Sequence, residues 1–172
     1  WGSPLWGVPE RSLDAKSGLS DTMAMGSIQG LFMDDSPAFR VNFIRGMPEQ
    51  KDLYWRGPVM WDFDGRQWEA SGWRTGLDAT VLPSAAAAPY VYEVQLEPHE
   101  RRWLFALDYP AVKPPEARRL TFDYQLFTRR AVTKLLRYEM ASDPAFLDSP
   151  ELEMTHRRAA LALPEGFNPR TR

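Results

Sequence analysis

The stretch Leu53–Trp73, LYWRGPVMWDFDGRQWEASGW, holds four of the chain's seven tryptophans. Such a density of rings fits either a platform that presents them to a ligand or the core of a fold. Asp64-Gly65 predicts a β-hairpin, because a type I′ turn requires positive φ at both central residues and these residue types tolerate it. With those two residues as the loop, the register predicts three facing pairs: Trp61 with Trp68, Phe63 with Arg66, and Val59 with Ala70.

The predicted register decides between the two interpretations. It places Trp61 and Trp68 across from each other on one face, while Asp62 and Gln67 face the other way, so we expect both rings in the core. Replacing a buried Trp68 by alanine would then cost about 3–5 kcal/mol of folding free energy. Trp55 and Trp73 stand beside glycine or proline, and the sequence leaves both assignments open for them.

Short alternating segments surround this hairpin and predict the fold class. AFRVNFI (38–44), YVYEVQL (90–96) and TKLLRYEMAS (133–142) each place apolar residues at every second position, which is typical of half-buried strands. LTFDYQLF (120–127) alternates in the same way, with Leu120, Phe122, Tyr124 and Leu126 inward. RRWLFALDYP (101–110) is strand-like, VKPPEARR (112–119) is a predicted turn, and ELEMTHRRAALAL (151–163) fits a helix or a last strand. Seven or eight strands predict a mainly β domain, an antiparallel sandwich or barrel.

The pattern also divides the chain. Residues 1–37 are expected to be an irregular lead-in, residues 38–142 the β core, and residues 143–172 an irregular tail. A chain of 172 residues is long enough for one domain with a core that needs no disulfide. We therefore expect one domain over residues 1–172. The first residue is Trp1 rather than Met, which suggests an excised piece or a processed product of a longer protein.

Composition excludes several functional classes. The formal net charge of −2 gives no general attraction to nucleic acid, and we expect no nucleic-acid partner. The chain has no cysteine, so disulfides, zinc–thiolate sites and cysteine nucleophiles are excluded. No apolar run approaches the length of a membrane span, so this piece is expected to be soluble as given.

Candidate catalytic groups are sparse. His99 and His156, the two histidines, are far apart and beside arginines, and a surface position is expected for both. Asp62 and Asp64 resemble the start of a calcium loop, but the later ligands are missing and a turn explains them. Asp34-Asp35 fits a loop or helix stop, and no G-x-S-x-G elbow or glycine-rich phosphate loop occurs. We therefore predict no catalytic, cofactor-binding or metal-binding residue and no cofactor.

Four arginine doublets recur along the second half of the chain, two of them near aromatic residues. Arginines interleaved with rings can bind single-stranded nucleic acid. Acidic residues lie close by, however, and a solvated rim is the preferred interpretation. The doublets are Arg101-Arg102, Arg118-Arg119, Arg129-Arg130 and Arg157-Arg158.

Five segments, in this order, carry a resemblance to one family. They are SGLSDTMAMGSI (17–28), DSPAFRVNF (35–43), LYWRGPVMWDFDGRQW (53–68), RRWLFALDYP (101–110) and LPEGFNPRTR (163–172). Together they resemble the N-terminal extracytoplasmic domain, of unknown function, of bacterial membrane-bound transglutaminase-like proteins of the TgpA type. AMGSI (24–28) and LFMDD (31–35) depart from the family's usual sequence at these positions.

The resemblance implies a periplasmic β-rich part, between membrane helices and a catalytic core with a Cys–His–Asp triad. No triad position falls in this chain, so the resemblance implies a non-catalytic accessory or scaffold domain. Its expected partners are the adjoining transglutaminase-like core, the flanking membrane helices and a cell-envelope substrate. The density of tryptophan keeps an alternative open, an independent carbohydrate- or peptidoglycan-binding β-sandwich.

Overall fold

The structure is a computed structural model, and it describes residues 22–24, 36–70, 76–148 and 153–167. Short strands dominate the described residues, as expected from apolar segments interrupted by turn residues. In chain order they are β1 Thr22–Ala24, β2 Phe39–Arg45, β3 Trp55–Arg56, β4 Asp62–Phe63, β5 Gln67–Glu69, β6 Tyr90–Leu96, β7 Trp103–Leu104, β8 Ala106–Leu107, β9 Ala117–Leu120, β10 Leu126–Thr128 and β11 Leu136–Ser142. One 3₁₀ turn, Gln50–Asp52, and one helix, α1 Met154–Ala160, accompany them.

All of these strands pair antiparallel, in four open sheets. The orders are β11-β6-β2, β7-β10-β9, β1-β5-β4 and the pair β3-β8. The expected mainly β, antiparallel class is therefore confirmed, and because every sheet has two free ends, the described residues do not form a closed barrel. The apolar positions of β2, β6 and β11 face inward as their alternation predicts, with Tyr92, Val94 and Met140 at most 1% exposed.

Trp55 lies among the rings that these strands turn inward. Its indole is 5.3 Å from the ring of Phe39 and 5.6 Å from that of Tyr92, edge-on to both. The Phe39 ring in turn stacks on Phe105 at 5.2 Å. This edge-to-face packing is the arrangement that aromatic quadrupoles favour. Of the two tryptophans left unassigned by the sequence, Trp55 belongs to the core, and Trp73 lies outside the described residues.

Two buried tyrosine hydroxyls join the large sheet to residues 105–107, which link β7 to β8 and form β8 itself. Tyr138 Oη donates to the carbonyl of Phe105 at 2.9 Å and accepts its N–H at 2.9 Å. Tyr92 Oη accepts the N–H of Leu107 at 2.7 Å and lies 2.9 Å from Ser142 Oγ. Burial raises the pKa of Tyr92 to about 12 and raises that of Tyr138 as well, so both hydroxyls keep their protons. Side chains thus satisfy backbone groups that no neighbouring strand reaches.

The hairpin is present where expected, but its predicted register is wrong. Phe63 pairs with Trp68 and Asp62 with Glu69, so the loop lies one residue later, at Gly65 and Arg66. The carboxylate of Asp64 causes the shift: its Oδ1 accepts the backbone N–H of Arg66 at 2.7 Å and of Gln67 at 2.8 Å. Asp64 therefore precedes the turn, and Gly65 alone takes a positive φ, of 102°.

The register shift also overturns the core assignment of one tryptophan. Trp68 stacks on Phe63 with ring centroids 4.8 Å apart and remains 37% exposed. The predicted pair of Trp61 and Trp68 does not form, because Trp68 pairs with Phe63. Trp61 lies just before β4 and packs on Phe122 instead. The large destabilisation expected for Trp68→Ala rested on burial and is therefore no longer expected.

Further segments also differ from the sequence-based expectations. Residues 120–127 are not one strand, because a tight turn over 121–125 separates β9 from β10, with Tyr124 at φ 63°. The predicted turn of residues 112–119 ends early, because residues 117–119 already belong to β9. RRWLFALDYP forms two strands in different sheets, and the ambiguous segment near residue 156 is the helix α1. The lead-in, expected to be irregular, contributes strand β1 to the small sheet.

Candidate functional site

The turn over residues 121–125 holds a buried carboxylate. Asp123 is 8% exposed, and its Oδ2 accepts the indole N–H of Trp61 at 2.8 Å and the amide N–H of Gln125 at 2.8 Å. Its Oδ1 accepts the hydroxyl of Thr121 at 2.5 Å. Gln125 extends the network, since its Oε1 accepts the backbone N–H of Val59 at 2.8 Å. Three neutral donors therefore compensate the loss of water around this carboxylate.

The local sequence explains why the chain turns here. Thr121 bonds across the turn: its backbone N–H donates to the carbonyl of Gln125 at 2.9 Å, and its Oγ1 accepts the N–H of Gln125 at 2.9 Å. Short polar side chains that bond to nearby backbone compete with strand pairing. The alternation of apolar residues concealed this signal, although Thr121 and Asp123 were visible in the sequence.

Arg56 forms a second polar cluster beside the first. Its Nη2 lies 2.5 Å from Asp108 Oδ1, and its Nε donates to the carbonyl of Asp108 at 3.1 Å. The guanidinium also lies over the ring of Tyr109, at 5.2 Å from its centroid, and over that of Tyr54 at 5.7 Å. Asp108 and Tyr124 both have positive φ, an unfavourable backbone conformation that persists only where surrounding contacts fix it.

Aromatic contacts connect the Asp123 turn to the C-terminal segment 153–167. Trp61 lies 5.6 Å from Phe122, and Phe122 stacks on His156 of α1 at 4.9 Å with 12° between the ring planes. Further along, Phe167 meets Phe63 edge-on at 5.5 Å. The C-terminal segment thus packs on the Asp123 turn through His156 and on the hairpin through Phe167.

The histidine predictions are half right. His156 is partly exposed, but His99 is 9% exposed and not on the surface. Glu100, at φ 59°, turns the chain so that the ring of His99 points inward. Its Nε2 then lies 3.1 Å from the carbonyl of Trp103, and its Nδ1 accepts the N–H of Arg101 at 3.2 Å. Burial lowers the pKa of His99.

We expect the protein to lose stability as the pH falls through the ordinary histidine pKa. The unfolded chain binds a proton near pH 6.5, whereas folded His99 does so only at lower pH, so the unfolded state binds more protons in between. Stability therefore falls with pH in that window and levels off below the folded pKa. Urea unfolding from pH 7.5 to 5 measures this slope. His99→Gln should remove part of it, and an unchanged slope in that variant would refute the assignment.

The other sequence candidates occupy structural positions. Asp64 caps the hairpin turn, and the backbone N–H groups of Gln67 and Arg66 lower its pKa. Six of the eight doublet arginines are exposed, as expected for a solvated rim, and Arg119 Nε lies 3.0 Å from Asp78 Oδ1. Asp34 and Asp35 lie outside the described residues. The part of the chain that the structure describes contains no group of His, Asp and Glu suited to hold a metal ion.

The arrangement as a whole is suited to holding segments together rather than to reaction chemistry. Asp123 is saturated by donors, and the charge of Arg56 is compensated by Asp108. Sequence reasoning missed both residues as organising groups. Tyr54, two residues from Arg56, was the one local hint, because rings and arginine often stack.

Comparison with known proteins yields matches over most of the chain. A model of the family described as the TgpA N-terminal domain matches residues 1–148. A protein-glutamine gamma-glutamyltransferase of Pseudomonas aeruginosa is 36% identical over 170 residues, 98% of this chain and 25% of that protein. A crystal structure of the periplasmic domain of TgpA from the same organism is 35% identical, with a TM-score of 0.75. The match covers 89% of this chain and 52% of the solved chain.

A second crystal structure of that periplasmic domain, bound to ethylmercury, is 34% identical with a TM-score of 0.72 and covers 88% of this chain and 53% of its own. The chain therefore spans about a quarter of the length of the curated relative and about half of each solved domain.

Proposed function

The chain belongs to the TgpA N-terminal domain family, and we propose that it serves, in a longer protein, as a non-catalytic scaffold for a transglutaminase-like catalytic region. It would position that region or help to bind its substrate. The solved relatives are periplasmic domains, so the expected extracytoplasmic location is confirmed. Flanking membrane helices in the longer protein are part of the proposal.

No helix in the described ranges is both long and apolar enough to cross a membrane.

The residues themselves support a non-catalytic role. Acyl transfer from glutamine by a Cys–His–Asp triad needs a thiolate nucleophile, and this sequence contains no cysteine. The curated relative, which is named as an enzyme, is about four times as long as the matched segment. The match covers 25% of it. Catalysis in the longer protein would therefore use residues other than these.

The observation that carries the proposal is the packing of the C-terminal segment on the hairpin. His156 and Phe167 contact Phe122 and Phe63 of the β core, so residues 153–167 are held in a fixed place. We propose residues 1–172 as one domain, with the core at 38–142 and a tail at 143–172 that leads toward the catalytic region. Holding two regions in one geometry is a recognised contribution to catalysis.

Carbohydrate binding, the alternative raised by the density of tryptophan, is not proposed. Trp103 is buried, and Trp55 and Trp61 pack within the domain. Among the described tryptophans only Trp68 is more than a third exposed. A row of exposed rings, the feature that stacks on sugars, is absent from this part of the chain.

We expect release of the tail to reduce catalysis in the longer protein without changing its chemistry. The double variant His156→Ala, Phe167→Ala removes both ring contacts and should lower kcat/KM about tenfold or more, as misplacement of reacting groups does. Incorporation of a fluorescent primary amine into a glutamine-containing carrier protein measures this activity. This chain alone should give no incorporation.

Arg158→Ala is the matched control, because Arg158 lies on the same helix and is exposed. It should leave the rate unchanged. Full activity in the double variant would refute a positioning role, and incorporation by this chain alone would refute its non-catalytic status.

A further inference from the structure

The small sheet β1-β5-β4 has two different faces. Met23 lies opposite Trp68, and Trp68 lies opposite Phe63, so these three side chains form one row across the sheet. We call this row the Met23 face. The neighbouring row, on the other side of the sheet, consists of Thr22, Glu69 and Asp62. Alternation therefore gives one apolar and one polar side.

The Met23 face is only partly covered by the domain itself. Phe167 packs on Phe63, but Met23 is 52% exposed and Trp68 37%. The C-terminal segment that contacts this face also carries exposed apolar side chains, Leu161 at 69% and Met154 at 60%. Met23 and Trp68 are neighbours across the strand pair, and contiguous exposed apolar side chains of this kind are a mark of interaction surfaces.

We propose that the Met23 face is the docking surface for the transglutaminase-like half of the periplasmic region, an inference that rests on the proposed function. Two observations favour this occupant. The match covers only 52% of the solved relative's chain, so that relative is about twice as long as the matched segment. A second body of similar size therefore belongs to the same periplasmic region. The tail that would lead to it already contacts this face, through the Phe167 ring against Phe63.

Size favours an intramolecular partner over a second copy. The exposed part of the Met23 face is a few side chains wide, whereas a stable interface between separate proteins buries roughly 800 Å² on each partner. A body joined through the tail needs far less area, because the connection supplies a high effective concentration. Contacts between domains of one chain are accordingly smaller and more polar than obligate interfaces between separate proteins.

Thiol labelling tests the proposal directly, since this chain has no cysteine of its own. Met23→Cys and Thr22→Cys place a thiol on opposite faces of the same short strand, and both positions are exposed. Each variant is made in this chain and in the longer protein. The rate of maleimide addition at the introduced thiol is then followed by peptide mass spectrometry.

We expect the thiol of Met23→Cys to react at least about tenfold more slowly in the longer protein, as for a side chain moved into a packed interface. Thr22→Cys should react equally fast in both. Equal rates for Met23→Cys would overturn the proposal, as would protection of Thr22→Cys alone. If the thiol of Met23→Cys is protected in this chain by itself, and the protection grows with protein concentration, the face is covered by a second copy. That result would also overturn the proposal.

The labelling result and the activity result can fail separately. If the tail variants lower activity while Met23→Cys stays reactive, the scaffold role stands and the docking surface lies elsewhere. If Met23→Cys is protected while the tail variants keep full activity, the contact exists but does not position catalysis.

Discussion

Trp55→Ala should destabilise the protein by about 3 kcal/mol, the lower end of the range for buried tryptophan, since the ring is partly rather than fully buried. The indole packs edge-on against Phe39 and Tyr92, at 5.3 and 5.6 Å, and lies 6.5 Å from Phe43. Its removal leaves a cavity between two sheets that cannot close without moving β3. Urea unfolding of the two proteins measures the difference.

Trp68→Ala is the matched comparison, because it deletes the same side chain from the same region of sequence. Trp68 is 37% exposed and its main contact is the stack on Phe63, so we expect a cost of about 1 kcal/mol. Equal costs for the two variants would contradict the assignment of Trp55 to the core and of Trp68 to the surface.

Asp123→Ala should cost about 3 kcal/mol, because a buried polar group that loses its partner costs about 1–3 kcal/mol and three donors lose theirs. The donors belong to Trp61, Gln125 and Thr121. Since Trp61 also supports Phe122 and, through it, His156, we expect hydrogen exchange in α1 to become faster as well. Thermal unfolding and exchange mass spectrometry measure the two effects.

Asp78→Ala provides the control for removal of a carboxylate. Asp78 pairs with Arg119, but its side chain is 68% exposed, and such surface pairs contribute less than about 1 kcal/mol. If Asp123→Ala were no more destabilising than Asp78→Ala, the buried network would not be holding the turn.

Strand positions could be predicted where alternation and burial agree. In β2, β6 and β11 every second residue is apolar and those residues face the core, so seven-residue strands were recognised directly. The segment 120–127 has the same alternation, yet Thr121 and Asp123 bond within it and turn the chain. Leu120, Tyr124 and Leu126 are buried as the alternation predicts, but Phe122, also expected inward, is only half-buried. Because the backbone turns here, the polar residues at the alternate positions are buried as well, namely Thr121, Asp123 and Gln125.

The hairpin register and the polar site were less predictable, for related reasons. Gly65 lies in the turn under either register, and the sequence does not show whether Asp64 or Arg66 lies there with it. The Asp64 carboxylate, bonded to two backbone N–H groups, fixes the turn at Gly65 and Arg66. The partners of Asp123 and Arg56 come from distant segments, Trp61 and Asp108 among them. Such encounters depend on the assembled fold, and a single sequence contains no record of them.

The order of strands in the large sheet has a consequence for how the chain folds. β6 pairs with β2 on one side and β11 on the other, and long stretches of chain separate it from both. Non-local pairing of this kind slows folding, since the loops must close before the contacts form. As the chain is synthesised, β2 is made before its partner and exposes Phe39, Val41 and Phe43 in the meantime. The period of vulnerability to aggregation then depends on how quickly residues 46–89 and β6 follow.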